Sequence, residues 1–311
     1  MKASVTWTVL ALFSAVLGAY IYLKPMEEKP VNFNTTKVLT TSEEQKVKLI
    51  QIQNLEKKET ITLEQKDGIW MLSFPVTGRA DQQMTEGLRI ALQLSARARR
   101  MMPEKDWAEY GLLKPKLKVG IEMTGETQRR YLDFGDPSPI GPFIFARWED
   151  EKEYFLVESE LKKSFIRSIY SLREKRVFTT PVNDISKISV RTPEGEYEWQ
   201  YLNGKWFWLE PIAKLGKPIA PKAAEDMLKE IYSLYAKDFT DEKEDRPDLG
   251  FLSTGPSIKI SGKKEAEFIK IGNTLPDKNS YYAFRKQGGV FFMSQDRLDQ
   301  FFKDVEAIAS E

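Results

Sequence analysis

The 311-residue sequence contains no histidine and no cysteine. Without these side chains the chain cannot form disulfides, Ser/His/Asp or Cys/His triads, or the common zinc, haem, iron–sulfur and copper sites. Carboxylates, lysine, tyrosine and serine remain as potential catalysts, and oxygen ligands could still bind a hard cation. Since the sequence carries no recognisable catalytic set, we predict that the protein is not an enzyme and has no cofactor, metal or catalytic residue.

An excess of one charge is also missing, because 47 basic residues face 46 acidic ones. A balanced chain has no overall field that attracts a polyanion, so nucleic acid is not expected as a partner. The length is that of about two domains of ordinary size. The lack of cysteine suits a bacterial envelope protein, although a disulfide-free chain also fits a reducing compartment.

One long hydrophobic run is present at residues 5–23, from Val5 to Leu23, and reads "VTWTVLALFSAVLGAYIYL". It has no charge inside, and Lys2 and Lys24 flank it. At about 1.5 Å per residue the run is roughly 28 Å long as a helix, which is close to the hydrocarbon thickness of a bilayer. We therefore predict a transmembrane anchor over residues 1–24, with the lipid bilayer as its partner.

Two other interpretations of this run stay open. Lys2 and the small residues Ala15, Gly18 and Ala19 would also suit a cleaved signal peptide, but the run is longer than a usual h-region and no A-x-A site follows. A buried helix of a soluble domain is the second alternative, although the run is apolar on every face. Because so short a leading tail usually stays cytoplasmic, we place the bulk of the chain outside the cytoplasmic membrane, in the periplasm.

A repeated motif organises the rest of the chain. The stretch "DGIWMLSFP" ends at Pro75, and "NGKWFWLEP" ends at Pro211, 136 positions later. Trp70 and Trp206 are separated by the same 136 positions. The Asp-Gly and Asn-Gly pairs that open the two stretches favour two-residue hairpin turns. Further matches along the chain keep similar offsets, so the sequence indicates an internal duplication.

Each copy is predicted to be an α+β module, a hairpin-rich antiparallel sheet covered by two helices. β-branched residues alternate in "KVKLIQIQN" and "ISKISVRT", which is typical of strands, and an amphipathic helix follows each motif proline. The first of these helices is expected to continue through residues 97–100, where arginines would complement the helix dipole. A second amphipathic helix closes each copy. The predicted organisation is a linker at 25–34, a first module at 35–180 and a second module at 181–311.

The motif tryptophans are interpreted as core residues. In each copy the indole is expected to bury on the sheet and anchor the following helix, while the proline ends the strand because it lacks a backbone donor. A tryptophan platform for a ligand is the alternative. Trp208 shares the face of Trp206, whereas Trp107 and Trp199 have no counterpart in the other copy.

Acidic residues cluster at Asp133, Asp136, Glu149, Asp150 and Glu151, where they could bind a cation or act as acid and base. However, "DFGDPSPIGP" does not have the ligand spacing of a calcium loop. We therefore expect solvated turns. The alternative is a carboxylate pair such as Asp133 and Glu149 in one cleft.

Other candidate features are two loops rich in glycine and proline, at residues 135–143 and 272–284. Neither has the ending of a phosphate loop, so they are interpreted as contact surfaces. Arg147 and Arg285 follow the loops at equivalent positions and are expected to tether them by hydrogen bonds, with ligand binding as the alternative. The charged run at residues 241–248 is expected to be a solvated linker.

Several motifs together resemble a known bacterial family. The stretches "WMLSFP", "WFWLEP", "YGL", "LDFGDP", "FARWEDEKEYFLV" and "SLREKRVF" are similar to those of domain-of-unknown-function proteins encoded beside GldG-type, or gliding-type, ABC transporters. The resemblance covers roughly residues 40–310, although "YGL" becomes "LGF" in the second copy. It implies a membrane-anchored extracytoplasmic component with the transporter permease and auxiliary subunits as partners, and it brings no active site.

These observations favour a non-enzymatic accessory subunit or scaffold of an ABC transporter complex, whose tandem modules form a platform for transporter subunits or an envelope polymer. The first alternative is a binding module for an envelope glycan or lipid, using aromatic side chains near Phe143, Tyr281 and Tyr282. The second alternative is a carboxylate-dependent hydrolase built on the acidic cluster.

Overall fold

A computed structural model describes residues 35–39, 46–100, 107–139, 141–263, 265–275 and 278–310. From Thr36 onward the described residues belong to one unit. The anchor predicted at residues 5–23 and the linker predicted at 25–34 lie outside the described residues, so both stay predictions. Within the described ranges, no helix combines the length and apolar character needed to cross a bilayer.

The described residues of the first half build a sheet of ten strands. These are β1 (Thr35–Lys37), β2 (Val47–Asn54), β3 (Glu59–Lys66), β4 (Ile69–Phe74), β5 (Gly78–Arg79), β6 (Ala96–Arg100), β7 (Leu117–Met123), β8 (Arg130–Pro137), β9 (Phe143–Trp148) and β10 (Tyr154–Glu158). Their order across the sheet is β1-β6-β10-β9-β8-β7-β2-β3-β4-β5. The predicted hairpin turn joins β3 to β4, where Asp67 and Gly68 have φ angles of 51° and 80°.

The described residues of the second half build a sheet of eight strands. These are β11 (Ile185–Arg191), β12 (Glu196–Leu202), β13 (Lys205–Glu210), β14 (Ala236–Phe239), β15 (Ser257–Gly262), β16 (Ala266–Leu275), β17 (Ser280–Arg285) and β18 (Gly289–Ser294). Their order is β13-β12-β11-β15-β16-β17-β18-β14. The turn between β12 and β13 again uses positive φ angles, 48° at Asn203 and 82° at Gly204.

Helices cover one face of each sheet. Those in the described residues are α1 (Gln82–Leu94), α2 (Ser159–Phe165), α3 (Ile169–Leu172), α4 (Pro221–Tyr232) and α5 (Gln295–Ser310). We call the first sheet with α1 to α3 the first lobe, and the second sheet with α4 and α5 the second lobe. The predicted α+β class is confirmed.

Eight strands follow the same order in both lobes. The series β6-β10-β9-β8-β7-β2-β3-β4 in the first sheet matches β14-β18-β17-β16-β15-β11-β12-β13 in the second, strand by strand along the chain. In both series a helix connects the last strand to the first, α1 from β4 to β6 and α4 from β13 to β14. The Phe74-Pro75 and Glu210-Pro211 peptide bonds are both cis. The first sheet differs by having β1 and β5 in addition.

The motif tryptophans lie in the two cores, as predicted. Trp70 is 2% exposed and packs with the apolar side chains of α1, and Trp206 is 8% exposed in the second core. Gln82, the first residue of α1, accepts a hydrogen bond from the Trp70 backbone N–H (2.8 Å) and donates one to its carbonyl (2.9 Å). The helix is therefore fixed to strand β4 through the backbone of the buried tryptophan as well as through its ring.

Helix α1 is shorter than predicted. It ends at Leu94, and residues 96–100 form strand β6, which pairs with β10. The expectation that residues 97–100 complement a helix dipole is therefore wrong. "ARARR" alternates small and long residues with the period of a strand, and pairing with a distant strand outweighs its helix propensity.

The predicted closing helix of the first module is divided in two. Helix α2 ends at Phe165, and α3 begins at Ile169 after an N-cap at Ser168, whose hydroxyl accepts a hydrogen bond from the Ser171 N–H (3.2 Å). A serine that caps in this way competes with continuation of the preceding helix. The break turns the chain toward the second lobe.

Candidate functional site

Asp133 lies inside the first sheet and not in a solvated turn. It stands on β8 opposite Arg147 of β9, and its side chain is buried. Arg147 donates to Oδ2 from Nε (3.2 Å) and from Nη2 (3.1 Å), while Lys118 Nζ lies 3.4 Å from Oδ1. The expectation of a solvated position is wrong for Asp133, because the strand register brings two cations to a buried carboxylate.

The Asp133 carboxyl group has a pKa above its ordinary value. Desolvation by burial disfavours its charged form more strongly than Lys118 and Arg147 favour it. Glu149 Oε1 also lies 3.2 Å from Lys118 Nζ, so the two carboxylates of the hydrolase hypothesis share one lysine. The Trp107 ring covers the Arg147 guanidinium, with 3.8 Å between the guanidinium carbon and the ring centroid. The arrangement is an ion-pair network on the sheet face.

The neighbouring acidic residues form ion pairs as well. Arg130 binds Asp150 at 2.9 Å and Glu151 at 3.3 Å, and Arg97 binds Glu151 at 3.1 Å. Among the described residues, no group of three or more acidic side chains is placed to hold a metal ion. The structure thus brings most of the predicted acidic residues close together, and each of these carboxylates is paired with an arginine or a lysine.

The two predicted contact loops are shaped by paired glycines at β-bulges. A Cβ at Gly135 would lie 2.2 Å from the carbonyl oxygen of Tyr110, and a Cβ at Gly272 would lie 2.1 Å from that of Leu249. Both glycines fall where the strand register shifts, between β8 and β9 and between β16 and β17. Only a residue without a side chain allows so close a backbone approach. The motifs "YGL" and "LGF" are therefore packing partners of the bulges.

The aromatic residues proposed for glycan binding lie within strands. Tyr281 and Tyr282 are consecutive in β17, and consecutive strand residues point to opposite faces of a sheet. Tyr281 donates a hydrogen bond to Asp299 Oδ1 (2.8 Å), while the Tyr282 ring packs on Phe292 with 5.4 Å between centroids. These two tyrosines do not form a joint platform.

The residues that link the lobes form the most densely bonded polar site that we describe. We call residues 173–180 the linking segment. Toward the first lobe, the Glu174 N–H donates to the carbonyl of Arg79 in β5 (3.0 Å), and Arg173 pairs with Ala80 as an antiparallel bridge. The segment therefore extends the edge of the first sheet by backbone hydrogen bonds.

The same segment also binds the edge of the second sheet. The Val177 N–H donates to the Leu234 carbonyl (3.1 Å), and the Ala236 N–H at the start of β14 donates to the Lys175 carbonyl (2.7 Å). Edge strands of two sheets thus meet on one short stretch of chain. This pairing satisfies backbone groups that an open edge would leave to solvent or to another chain.

Arg285 of β17 fixes the linking segment from the second lobe. Its Nη2 donates to the Glu174 carbonyl (2.7 Å) and its Nη1 to the Arg176 carbonyl (2.8 Å). Burial lowers the pKa of Arg285 to about 10, against the attraction of Glu174 and Glu267. The side chain is still charged at neutral pH, so its fork makes two charge-assisted bonds. The predicted role of Arg285 as a tether of the preceding loop is wrong, because these bonds go to the linking segment.

Two carboxylates complete the junction. Buried Glu174 accepts from Arg176 at the backbone N–H (3.0 Å), Nε (3.0 Å) and Nη2 (2.6 Å). Glu267 of β16 accepts from the backbone N–H groups of Thr179 (2.8 Å) and Thr180 (2.9 Å) and from both hydroxyls. Burial tends to raise the pKa of each glutamate, but these hydrogen bonds outweigh it and hold each pKa below the ordinary value.

A small cavity lies against the linking segment. Its volume is about 230 Å³, and its walls include Arg79, Arg285, Glu267, Phe268 and Phe284. Binding sites for drug-sized molecules usually measure roughly 300–1,000 Å³. The cavity is therefore suited to a small group at most, and its lining combines aromatic rings with charged side chains of both signs.

The junction is not evident from the sequence. The stretch "SLREKRVF" contributes to the family resemblance, but by itself it predicts no structural role. Arg79, Glu267 and Arg285 come from positions far apart in the chain, and only the folded topology brings them to residues 173–180. The one local indication is a short charged run, Arg173 to Arg176, directly after an amphipathic helix.

A comparison with protein families gives a match that spans the linking segment. A family model described as "Domain of unknown function (DUF4340)" matches residues 70–253, more than half of the chain. The matched stretch begins in β4 of the first lobe, contains the whole linking segment and ends before β15 of the second lobe. No curated protein and no solved structure matches the chain significantly. The family match therefore includes parts of both lobes as well as the residues that link them.

Proposed function

We propose that this chain, which belongs to the DUF4340 family of domains of unknown function, is a non-enzymatic accessory subunit of a bacterial ABC transporter of the export or gliding type. In this proposal residues 5–23 anchor it in the cytoplasmic membrane, and the folded part is periplasmic. The uncharged run and its flanking lysines support the anchor.

The two lobes are proposed to be copies of one module. The shared order of eight strands, the paired glycines at the bulges and the matching hairpin turns support this duplication. Duplication gives two similar lobes on one chain. A platform built in this way can present two related surfaces to transporter subunits or to a carried polymer.

The linking segment is the observation that carries the proposal. It hydrogen-bonds to the edge strands of both sheets, and Arg285 and Glu267 hold it with charge-assisted bonds. Such a junction favours a fixed arrangement of the lobes, because separating them would break the hydrogen bonds that the linking segment makes to both sheets. A fixed two-lobed body suits a subunit that acts through its surfaces.

Co-purification tests the proposal. The full chain, tagged at its C-terminus, would be extracted from bacterial membranes in a mild detergent and its partners identified by mass spectrometry. We expect the permease and ATPase subunits of one ABC transporter to be recovered with it. A chain that is recovered alone, or that does not fractionate with membranes, would contradict the proposal.

Two matched variants distinguish the contribution of the junction from that of the membrane anchor. Arg285→Ala releases the linking segment and is expected to reduce recovery of the transporter subunits while membrane fractionation persists. Arg191→Ala removes an ion pair to Glu196 on the second sheet and is expected to leave recovery unchanged. Equal recovery with both variants would argue against a role for the junction.

A further inference from the structure

The connection between β13 and α4 exposes large aliphatic side chains. We call residues 211–218, "PIAKLGKP", the insertion loop. Ile212 is 76% exposed and Leu215 is 59% exposed. They stand three positions apart, at the start of a 3-10 turn and directly after it, so both can project from the same side.

The equivalent connection in the first lobe is shorter and keeps its apolar residue inside. The Ile219 N–H donates to the Trp206 carbonyl just as the Ala80 N–H donates to the Trp70 carbonyl, so Ile219 corresponds to Ala80. Ile219 follows Ala80 by 139 positions, whereas the motif prolines differ by 136. The second lobe therefore has three more residues here. In the shorter connection Val76 packs against the first core.

The insertion loop is a fixed protrusion on the sheet edge. The Trp208 N–H donates to the Lys217 carbonyl (3.0 Å), and the Gly216 N–H donates to the Trp208 carbonyl (2.9 Å). Lys214 Nζ lies 5.2 Å from the centroid of the Trp208 ring. Because β13 holds the loop backbone, exposure of Ile212 and Leu215 does not require the loop to unfold.

The charges within the insertion loop have one sign. Lys214 and Lys217 lie within the loop, and residues 211–218 contain no acidic side chain, although Glu210 directly precedes them. Apolar side chains flanked by lysines match the interface of an anionic bilayer, where aliphatic groups enter below the headgroups and each lysine near the surface is attracted to acidic lipid.

We propose that the insertion loop inserts into the headgroup region of an anionic phospholipid bilayer through Ile212 and Leu215. The inference rests on the membrane anchoring in the proposed function. A linker of the length predicted at residues 25–34 spans at most about 35 Å and keeps β1, at the outer edge of the first sheet, near the bilayer. The insertion loop, at the outer edge of the second sheet, reaches the bilayer when both lobes lie along it. Under these conditions a small apolar protrusion is sufficient for contact, since the protein is already at the surface.

Site-directed labelling tests the contact, and the chain has no native cysteine to interfere. Full-length Ile212→Cys would carry an environment-sensitive fluorophore in vesicles of phosphatidylcholine and phosphatidylglycerol, with and without lipids that carry a nitroxide quencher. The matched control is Leu252→Cys, which is 67% exposed in the same lobe but has serine and threonine after it in place of lysine. We expect blue-shifted emission and quenching by nitroxide lipid at position 212, and neither at position 252.

Lys214→Gln and Lys217→Gln each remove one positive charge and so test the electrostatic contribution of the loop lysines. Each substitution is expected to lower the ratio of lipid-inserted to water-exposed loop roughly fivefold in the mixed vesicles. The inference is overturned if the probe at position 212 is quenched no more than the probe at 252. It is also overturned if the probe is shielded from water without lipid quenching, which would indicate a protein contact.

Vesicle flotation separates this inference from the proposed function. A chain that floats with the vesicles while its probe at position 212 stays in water refutes loop insertion and leaves the anchored function intact. A chain that does not float refutes the anchor, and the inference with it.

Discussion

At the scale of single residues, the glycines of the bulges are decisive. Gly272→Ala would place a Cβ 2.1 Å from the Leu249 carbonyl oxygen, so the backbone has to move. We expect a loss of about 1–3 kcal/mol in the free energy of unfolding, measured by urea denaturation. The control is Gly87→Ala in α1, where nothing lies within 4 Å and alanine should stabilise by up to about 1 kcal/mol. Similar effects of the two substitutions would contradict this account of the bulge.

Glu267 makes a residue-scale prediction about pH. Its hydrogen bonds to Thr179 and Thr180 lower its pKa, so the stabilisation is present above about pH 4.5 and is lost as the pH falls through the lowered value. Glu267→Gln keeps the shape without the charge. We therefore expect the urea midpoint of this variant to lie below that of the native chain at neutral pH, with a difference that shrinks in acid.

Exposed Glu265 provides the control for that titration. Glu265→Gln should follow the native urea midpoint closely at every pH, because surface charges contribute little to stability. A constant difference between Glu267→Gln and the native chain from acid to neutral pH would show that its charge does not matter for the junction.

At the scale of elements, Arg285 on β17 holds the linking segment by the geometry of its fork. Lysine at this position keeps the charge but cannot donate along the same two directions to the Glu174 and Arg176 carbonyls. We expect Arg285→Lys to lower the free energy of unfolding by about 1–3 kcal/mol. Arg191→Lys, at a surface ion pair, should change it by less than about 1 kcal/mol. Equal effects in denaturant titrations would refute the role of the fork.

The sequence predicts an element well when the residues that determine it are adjacent in the chain. The hairpin turns at Asp67 and Asn203 depend on adjacent residues that tolerate positive φ, and these turns were predicted correctly. Strand β6 was predicted as helix, because its strand form depends on pairing with the distant β10. The bulge at Gly135 was predicted as a loop for a similar reason, since its partner Tyr110 is not adjacent in sequence.

At the scale of the whole molecule, the sequence predicted the α+β class but missed the role of residues 173–180. Periodicity and repeated motifs report on each lobe separately, and they carry no information about groups that meet between lobes. Asp133 shows the same limit on a smaller scale. Its burial depends on Arg147 and Lys118, which the strand register places beside it. Interactions between positions that are distant in the chain are therefore evident only in the folded structure.

The central claim is that the linking segment holds the two lobes in one fixed arrangement. The most direct test is a distance measurement between two spin labels by pulsed electron–electron double resonance. Gln83→Cys on α1 and Lys229→Cys on α4 place labels on exposed positions of equivalent helices, in a chain without other cysteines. We predict one narrow distance distribution in the full chain, which broadens when Arg285→Ala is added. A broad or two-peaked distribution in the chain with native Arg285 would contradict the claim.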